Sequence, residues 1–281
     1  MTFRSLCGQL QDGGVPNPEW DAVLLIGKYC GLSREAILSS PDLEYVDPAL
    51  LEAVRRRAER YPLQYLLGEW DFYRQTYRVT PDCLIPRSET ERLVERAIAA
   101  LPPGAFFADL GTGSGCIAVS VLCERPDTTA VALDLSPAAL SLARENAGRN
   151  RVSERLRTVC ADLNDPLHAW TEGLPLPAAI LSNPPYIRSD VLPTLEPELS
   201  AEPVIALDGG ADGLTCYRSL IGLLNCWCAP DGFGLFEIGY DQGDALSRLA
   251  ASAGWSCTIH RDYAGLDRVA ELRRTNPAPG A

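Results

Sequence analysis

The chain has 281 residues, with 25 Lys and Arg against 37 Asp and Glu for a formal net charge of −12; such a length buries a large core and has room for two domains. The negative balance disfavours broad nucleic-acid binding, which needs a lysine and arginine surface to neutralise phosphates. No apolar run is long enough to cross a bilayer and the N-terminus lacks a basic and then apolar leader; ten scattered cysteines without a C-x-x-C pair and only two histidines, His168 and His260, predict reduced thiols, no metal site and a cytoplasmic location.

Residues 1–75 are helical in pattern. Trp20, Val23, Leu24 and Tyr29 recur on one segment, and Asp47-Pro48 caps a helix through Arg60 with Leu50, Leu51 and Val54 turned inward. Arg55-Arg56-Arg57 on that helix reads as a solvated face, with an acidic partner or RNA as the other reading. Trp70 to Tyr73 and Tyr77 to Thr80 predict a short hairpin, so that 76–87 is read as hairpin and linker and 88–281 as the second domain. Ser88 with Glu91 has capping-box spacing for a helix running to Ala100.

From about Pro86 onward strands and helices alternate, the pattern of a doubly wound α/β sheet. Ala105 to Leu110 is a buried strand that runs into Gly111-Thr112-Gly113-Ser114-Gly115, with Ile117, Ala118, Val121 and Leu122 following at helical spacing. The glycines let a ligand lie against bare backbone at the positive end of a helix. Gly113 and Gly115 are separated by one residue, so the match to a dinucleotide loop is imperfect. The next strand, Thr129 to Leu133, ends in Asp134, placed to grip the ribose hydroxyls of an adenosine, and Ser136-Pro137 opens a helix. Asp109, just before the loop, suits the amino group of a methionine moiety and would repel a pyrophosphate; a plain strand-end cap is the other reading. Further strands are expected at Leu156 to Cys160, Ala178 to Leu181, Gly234 to Ile238, Trp255 to His260 and Arg268 to Leu272. A Pro, Ala and Gly-rich tail after Thr275 is expected to fray.

After the fourth strand stands Asn183-Pro184-Pro185-Tyr186, a loop rich in acceptors and poor in donors. It suits a planar group carrying an NH2: two carbonyl oxygens accept the two N–H bonds while the Tyr186 ring stacks on or flanks the plane. Side-chain amides and base amines both fit, and a tight structural turn with a core tyrosine is the bland alternative. The acids that follow, Asp190, Glu196, Glu198, Glu202, Asp208 and Asp212, read singly as solvated surface and together disfavour DNA. Asp109, Gly111, Asp134, Asp162 and Asn183 all fall at the carboxyl ends of strands, where ligands bind in such sheets.

These residues resemble the HemK-type protein-(glutamine-N5) methyltransferases that act on class I peptide chain release factors. The resemblance runs from about Leu25 to Arg273 through Leu84 to Glu91 (LIPRSETE), Asn183 to Ile187, Glu202-Pro203, Leu207 to Leu214 (LDGGADGL), Glu237-Ile238-Gly239 with Gln242, and Gly265 to Val269. Ser88 departs from the family's usual proline. The resemblance implies a Rossmann-like methyltransferase sheet with a small N-terminal helical domain that helps hold the protein substrate. It also implies S-adenosylmethionine held by Asp109, Gly111 to Gly115, Asp134, Asp162, Leu163 and Asn183, with Leu163 packing on the adenine. The implied reaction methylates the glutamine of a Gly-Gly-Gln motif in a release factor, with Asn183, Pro184 and Tyr186 catalytic and Asn183 to Tyr186 binding the substrate. A ribosomal-protein glutamine and, more remotely, a DNA adenine N6 are the alternatives.

Overall fold

The computed structural model describes residues 1–165 and 169–275, so His168 and the tail beyond Thr275 lie outside the described residues. The chain divides into two compact units. The first comprises Met1–Trp70, Val79–Pro81 and Leu195–Glu202.

In this first unit, α1 (Phe3–Asp12), α2 (Pro18–Cys30), α3 (Arg34–Ser39), α4 (Pro48–Ala58) and α5 (Leu63–Leu67) surround a core that includes Leu6, Leu10, Leu25, Ile26, Leu50 and Val54. Asp47 caps α4 as its sequence predicts: Oδ1 accepts the Ala49 and Leu50 amides at 2.8 and 3.0 Å, and Pro48 begins the helix with no amide to satisfy. The helix stops at Ala58, short of the expected Arg60.

Exposure in this unit does not follow the sequence pattern everywhere. Trp20 is 48% exposed with the Arg34 guanidinium over its ring, and the buried stripe of α2 is Ala22, Val23, Leu25 and Ile26. Nor is the arginine run a solvated face throughout. Arg55 is exposed and paired with Glu52 and Glu59, whereas Arg57 is buried, 2.7 Å from Asp21 and 3.0 Å from Glu198. Arg60 takes the same Glu198 at 2.6 Å, so one of the acids read as surface is the anchor of segment 195–202. Glu202, 4% exposed, is not solvated either. Burying charge is tolerated at Asp21 and Glu198 because each has a guanidinium partner with directed N–H bonds.

A hairpin of β1 (Glu69–Phe72) and β2 (Gln75–Arg78) follows, turning through Tyr73 at φ +56°. Then α6 (Glu91–Ala100) opens after a 3-10 turn over Ser88–Thr90. The capping box does not form. Ser88 Oγ donates to Glu89, and Glu91 Oε1 accepts the Tyr73 amide at 2.8 Å, bracing the hairpin turn instead.

The second unit is a sheet with helices on both faces: β3 (Phe106–Leu110), α7 (Cys116–Glu124), β4 (Thr129–Asp134), α8 (Pro137–Arg149), β5 (Leu156–Cys160), β6 (Ala179–Ser182), α9 (Thr215–Cys226), β7 (Phe233–Glu237), α10 (Gly243–Ser252), β8 (Trp255–Arg261) and β9 (Asp267–Arg274). Each expected strand is present with ends shifted by no more than two residues. The strand order is β5-β4-β3-β6-β7-β9-β8, parallel from β5 to β7. The last two strands run antiparallel, with β9 inserted between β7 and β8. Residues 262–266 are too few for a crossover, so β8 and β9 can pair only as a hairpin.

Alternate residues of the central strands feed opposite faces. Phe107, Leu181 and Leu235 pack on the side of α6 and α7, while Ala108, Ile180 and Phe236 pack with α9 and α10. The order reverses between β3 and β6, and a crevice opens beyond their carboxyl ends at such a switch point.

Candidate active site

The glycine loop leaves β3 with Gly111, Gly113 and Gly115 at φ +72°, +54° and +80°, conformations that side chains disfavour. Gly111 and Thr112 both donate to Leu133 O, at 2.8 and 2.9 Å, which tethers the loop to the end of β4. Gly113 N–H donates to Asp134 Oδ2 at 2.8 Å, and Ser136 N–H to Oδ1 at 2.9 Å. Ser136 also caps α8, with Pro137 as the first helical residue, as the sequence predicts. Asp162, after β5, folds into a turn by accepting the Asn164 amide at 2.7 Å.

These ends surround one cavity of about 370 Å³. Gly111 to Ser114, Asp134, Asp162, Leu163, Asn183 and Pro185 line it, together with residues 82–87 and Thr90. The expected site residues outside this lining are Asp109, Gly115, Pro184 and Tyr186. Gly115 faces α8, where a Cβ would meet Ala143 at 3.1 Å. Asp109 is fully buried beneath the loop, its Oδ2 accepting Thr112 Oγ1 at 2.6 Å and the Ala118 amide at 3.1 Å. Burial pushes its carboxyl up to about 6 despite those two bonds, and Oδ1 has no partner. The wall carries three carboxylates, Asp82, Asp134 and Asp162, against the one guanidinium of Arg87. Its field therefore favours a cationic ligand and opposes a pyrophosphate.

The Asn183 side chain is held by a chain of hydrogen bonds. Its Nδ2 donates to Thr90 Oγ1 at 3.1 Å, and Thr90 donates to Glu237 Oε2 at 2.6 Å. The Tyr186 hydroxyl donates to the other carboxylate oxygen, Glu237 Oε1, at 3.3 Å. Tyr186 thus packs its ring among the buried residues on the α9 side, and desolvation pushes its phenol well up. Glu237 is 1% exposed, and burial raises its carboxyl to about 7, against the lowering effect of Thr90, Arg268 and Tyr186.

Behind the loop, Gln242 Nε2 donates to Tyr186 O at 3.0 Å and to Gly213 O at 3.1 Å, while its Oε1 accepts the Gly239 amide at 2.9 Å. Gly209 lies against the loop backbone: a Cβ there would sit 2.7 Å from Tyr186 Cα. Ile187 and Leu207 share a backbone bond of 3.0 Å, and Gly209 returns one to Ile187 O at 2.7 Å. Thr90, Glu237, Gln242 and Gly209 are the site residues that sequence reasoning did not assign, although each lies in a quoted motif. An acid closing the apolar run Phe233 to Phe236 was the available signal for Glu237.

Residues 3–68 match the family described as PrmC N-terminal domain, and residues 91–195 the family described as Methyltransferase small domain. The chain is 41% identical to the release factor glutamine methyltransferase of Moorella thermoacetica, over 95% of this chain and 97% of that protein. It is 42% identical to the protein of the same name from Cereibacter sphaeroides, over 96% of each. A solved structure of a release factor-specific protein-(glutamine-N5) methyltransferase from Alicyclobacillus acidocaldarius is 32% identical, covering 71% of this chain and 100% of that one, with a TM-score of 0.42. Likeness at this level over nearly the whole length means that the chain belongs to the release factor glutamine methyltransferase family, built on a Rossmann-like methyltransferase fold.

Proposed function

We propose that this protein transfers a methyl group from S-adenosylmethionine to the side-chain amide nitrogen of the glutamine in the Gly-Gly-Gln motif of a class I peptide chain release factor. The observation that carries this reading is the Asn183 carboxamide in the cavity wall: its NH2 end is committed to Thr90, which leaves Oδ1 as the end that can accept from a substrate. A carboxamide substrate needs acceptors of that kind, because both of its N–H bonds must be satisfied once water is excluded. Ten free thiols support a reducing, cytoplasmic setting, and among the described residues no helix is long and apolar enough to cross a membrane.

The donor set fits S-adenosylmethionine. Bare backbone at Gly111 and Gly113, the buried Ser114 hydroxyl without a hydrogen-bond partner, apolar Leu135 and Leu163, and the negative wall suit a nucleoside joined to a cationic sulfonium and an ammonium. Asp134 and Asp162 would hold its hydroxyls and adenine amine, and Gly111 to Ser114 its amino-acid end. Bound there, it supplies an electrophilic methyl on positive sulfur.

The protein's own task is to make a poor nucleophile competent, since the amide lone pair is delocalised into the carbonyl. Asn183 Oδ1 and the Pro184 carbonyl accept the two amide N–H bonds and fix the plane of the group. Their negative ends also stabilise positive charge as it develops on that nitrogen. The N-methylated amide is strongly acidic until it loses a proton, so no residue need act as a base beforehand. Positioning is then the main resource, and well-aligned partners reach effective molarities on the order of 10⁵ to 10⁸ M.

The test is incubation with radiolabelled S-adenosylmethionine and, separately, a release factor, ribosomal proteins and duplex DNA. Label on the Gly-Gly-Gln glutamine is expected. Label on a ribosomal-protein glutamine or on adenine would select one of the two alternatives.

A further inference from the structure

We infer that Thr90 and Glu237 are positioning residues that decide which end of the Asn183 carboxamide faces the substrate, an inference that rests on the glutamine-transfer reading of this site. The oxygen and nitrogen ends of an asparagine amide have almost the same size and shape, so packing alone does not choose between them. Hydrogen bonding must. A threonine hydroxyl has one proton, and that of Thr90 is directed at Glu237 Oε2, 2.6 Å away. Its remaining capacity toward Asn183, at 3.1 Å, is as an acceptor, which admits Nδ2 and rejects Oδ1. Thr90 and Glu237 are each 1% exposed, so water does not compete for these bonds. The relay thus converts a buried negative charge into the orientation of a neutral acceptor. Without it, Thr90 is free to donate to Oδ1, and the flipped asparagine would confront the substrate N–H bonds with N–H bonds of its own.

This assigns a role to three motifs at once. Thr90 comes from the LIPRSETE segment, Asn183 from the end of β6 and Glu237 from the end of β7. It also makes the orientation sensitive to pH. The groups facing Glu237 are the Thr90 and Tyr186 hydroxyls, the Cys116 thiol of α7, the Arg268 guanidinium, which favours its ionised form, and Glu89, which opposes it. Tyr217 is occupied by the Glu237 backbone carbonyl at 2.7 Å. Burial raises the Glu237 carboxyl to about 7. Once protonated on Oε2, Glu237 becomes a donor to Thr90, whose own proton turns toward Asn183 and favours the flipped amide. The ionised form is the competent one, so turnover rises with pH through this titration and levels off above it.

Thr90→Val, Thr90→Ser and Glu237→Gln test this, each compared with wild type for kcat, KM for the release factor and S-adenosylhomocysteine affinity. Misorientation at the site predicts a loss of about 10- to 100-fold in kcat for Thr90→Val, with KM and product affinity within about threefold, and Thr90→Ser restores the rate. Side-chain ¹⁵N resonances of Asn183 are followed against pH in the unliganded protein. They should move with the titration in wild type and stay fixed in Glu237→Gln. Wild-type kcat in Thr90→Val, a parallel loss of S-adenosylhomocysteine binding, or Asn183 resonances that ignore pH in wild type would each overturn the inference. Should wild type transfer no methyl to a release factor, the functional reading alone fails, and the resonance titration still decides the inference.

Discussion

Replacing Gly209 by alanine isolates how closely the LDGGADGL segment must press on the Asn183 loop. The glycine is not needed for its backbone angles, since its φ lies outside the left-handed region. It is needed for space: a Cβ would meet Tyr186 Cα at 2.7 Å, Tyr186 C at 2.8 Å and Pro185 O at 2.9 Å, all backbone atoms that cannot rotate away. Ordinary contact begins near 3.4 Å, so loop and segment must separate by more than half an ångström. Overpacking of this kind costs about 1–3 kcal/mol. For a chain of this size that lowers Tm by roughly 3–10 °C. The larger effect is chemical. Misplacement approaching 1 Å costs on the order of 100-fold in rate, so kcat should fall about 10- to 100-fold, while cofactor affinity, which we assign mainly to the glycine loop, stays within about twofold. Thermal melts, steady-state kinetics with a release factor and calorimetric titration with S-adenosylhomocysteine measure the three quantities. Gly222→Ala is the control: nothing lies within 4 Å of its Cβ and it sits inside α9. It should gain about 0.5–1 kcal/mol and keep wild-type kcat. If Gly209→Ala lost stability but kept kcat within twofold, the position of the loop backbone would not limit the reaction.

Arg57→Ala leaves Asp21 buried without its guanidinium and Glu198 with Arg60 alone. A loss of about 3–5 kcal/mol is expected in urea unfolding, and a loss under about 1 kcal/mol would contradict the assigned pairing. Asp109 is a carboxyl whose folded-state titration, at about 6, lies above its ordinary 3.8. Its contribution to stability is therefore full below the lower value and lost as pH rises through the upper one. Asp109→Asn removes that slope, so the stability of the variant relative to wild type should rise between about pH 4 and 6 and then flatten; a difference independent of pH would show that Asp109 is ionised throughout. The pH and Thr90 series set out above adds the corresponding kinetic prediction.

Much of the fold was legible because local signals agreed with the tertiary outcome. Asp47-Pro48 and Ser136-Pro137 carry their helix starts in their own chemistry, and the apolar strands are buried on both faces. The antiparallel insertion of β9 was not legible, because register and partner choice depend on residues far apart in sequence. Arg57 and Glu198 are 141 positions apart, so the helix periodicity that marks a charged face could not reveal their pairing. Ser88 and Glu91 show the converse: correct capping-box spacing was overruled by Tyr73, whose turn amide took the glutamate. At the site, the residues at strand ends were readable because a parallel sheet gathers those ends. Thr90 and Glu237 were hidden for a physical reason: each is buried, and their pairing appears only when positions 147 apart in the sequence fold to within 2.6 Å.

The central claim is that the Asn183 amide oxygen grips the substrate carboxamide, and its most direct test is single-turnover methyl transfer by Asn183→Ala to a release factor at saturating S-adenosylmethionine. The account predicts that the rate falls by on the order of 100-fold or more while cofactor affinity is largely kept. Equal single-turnover rates in variant and wild type would contradict it.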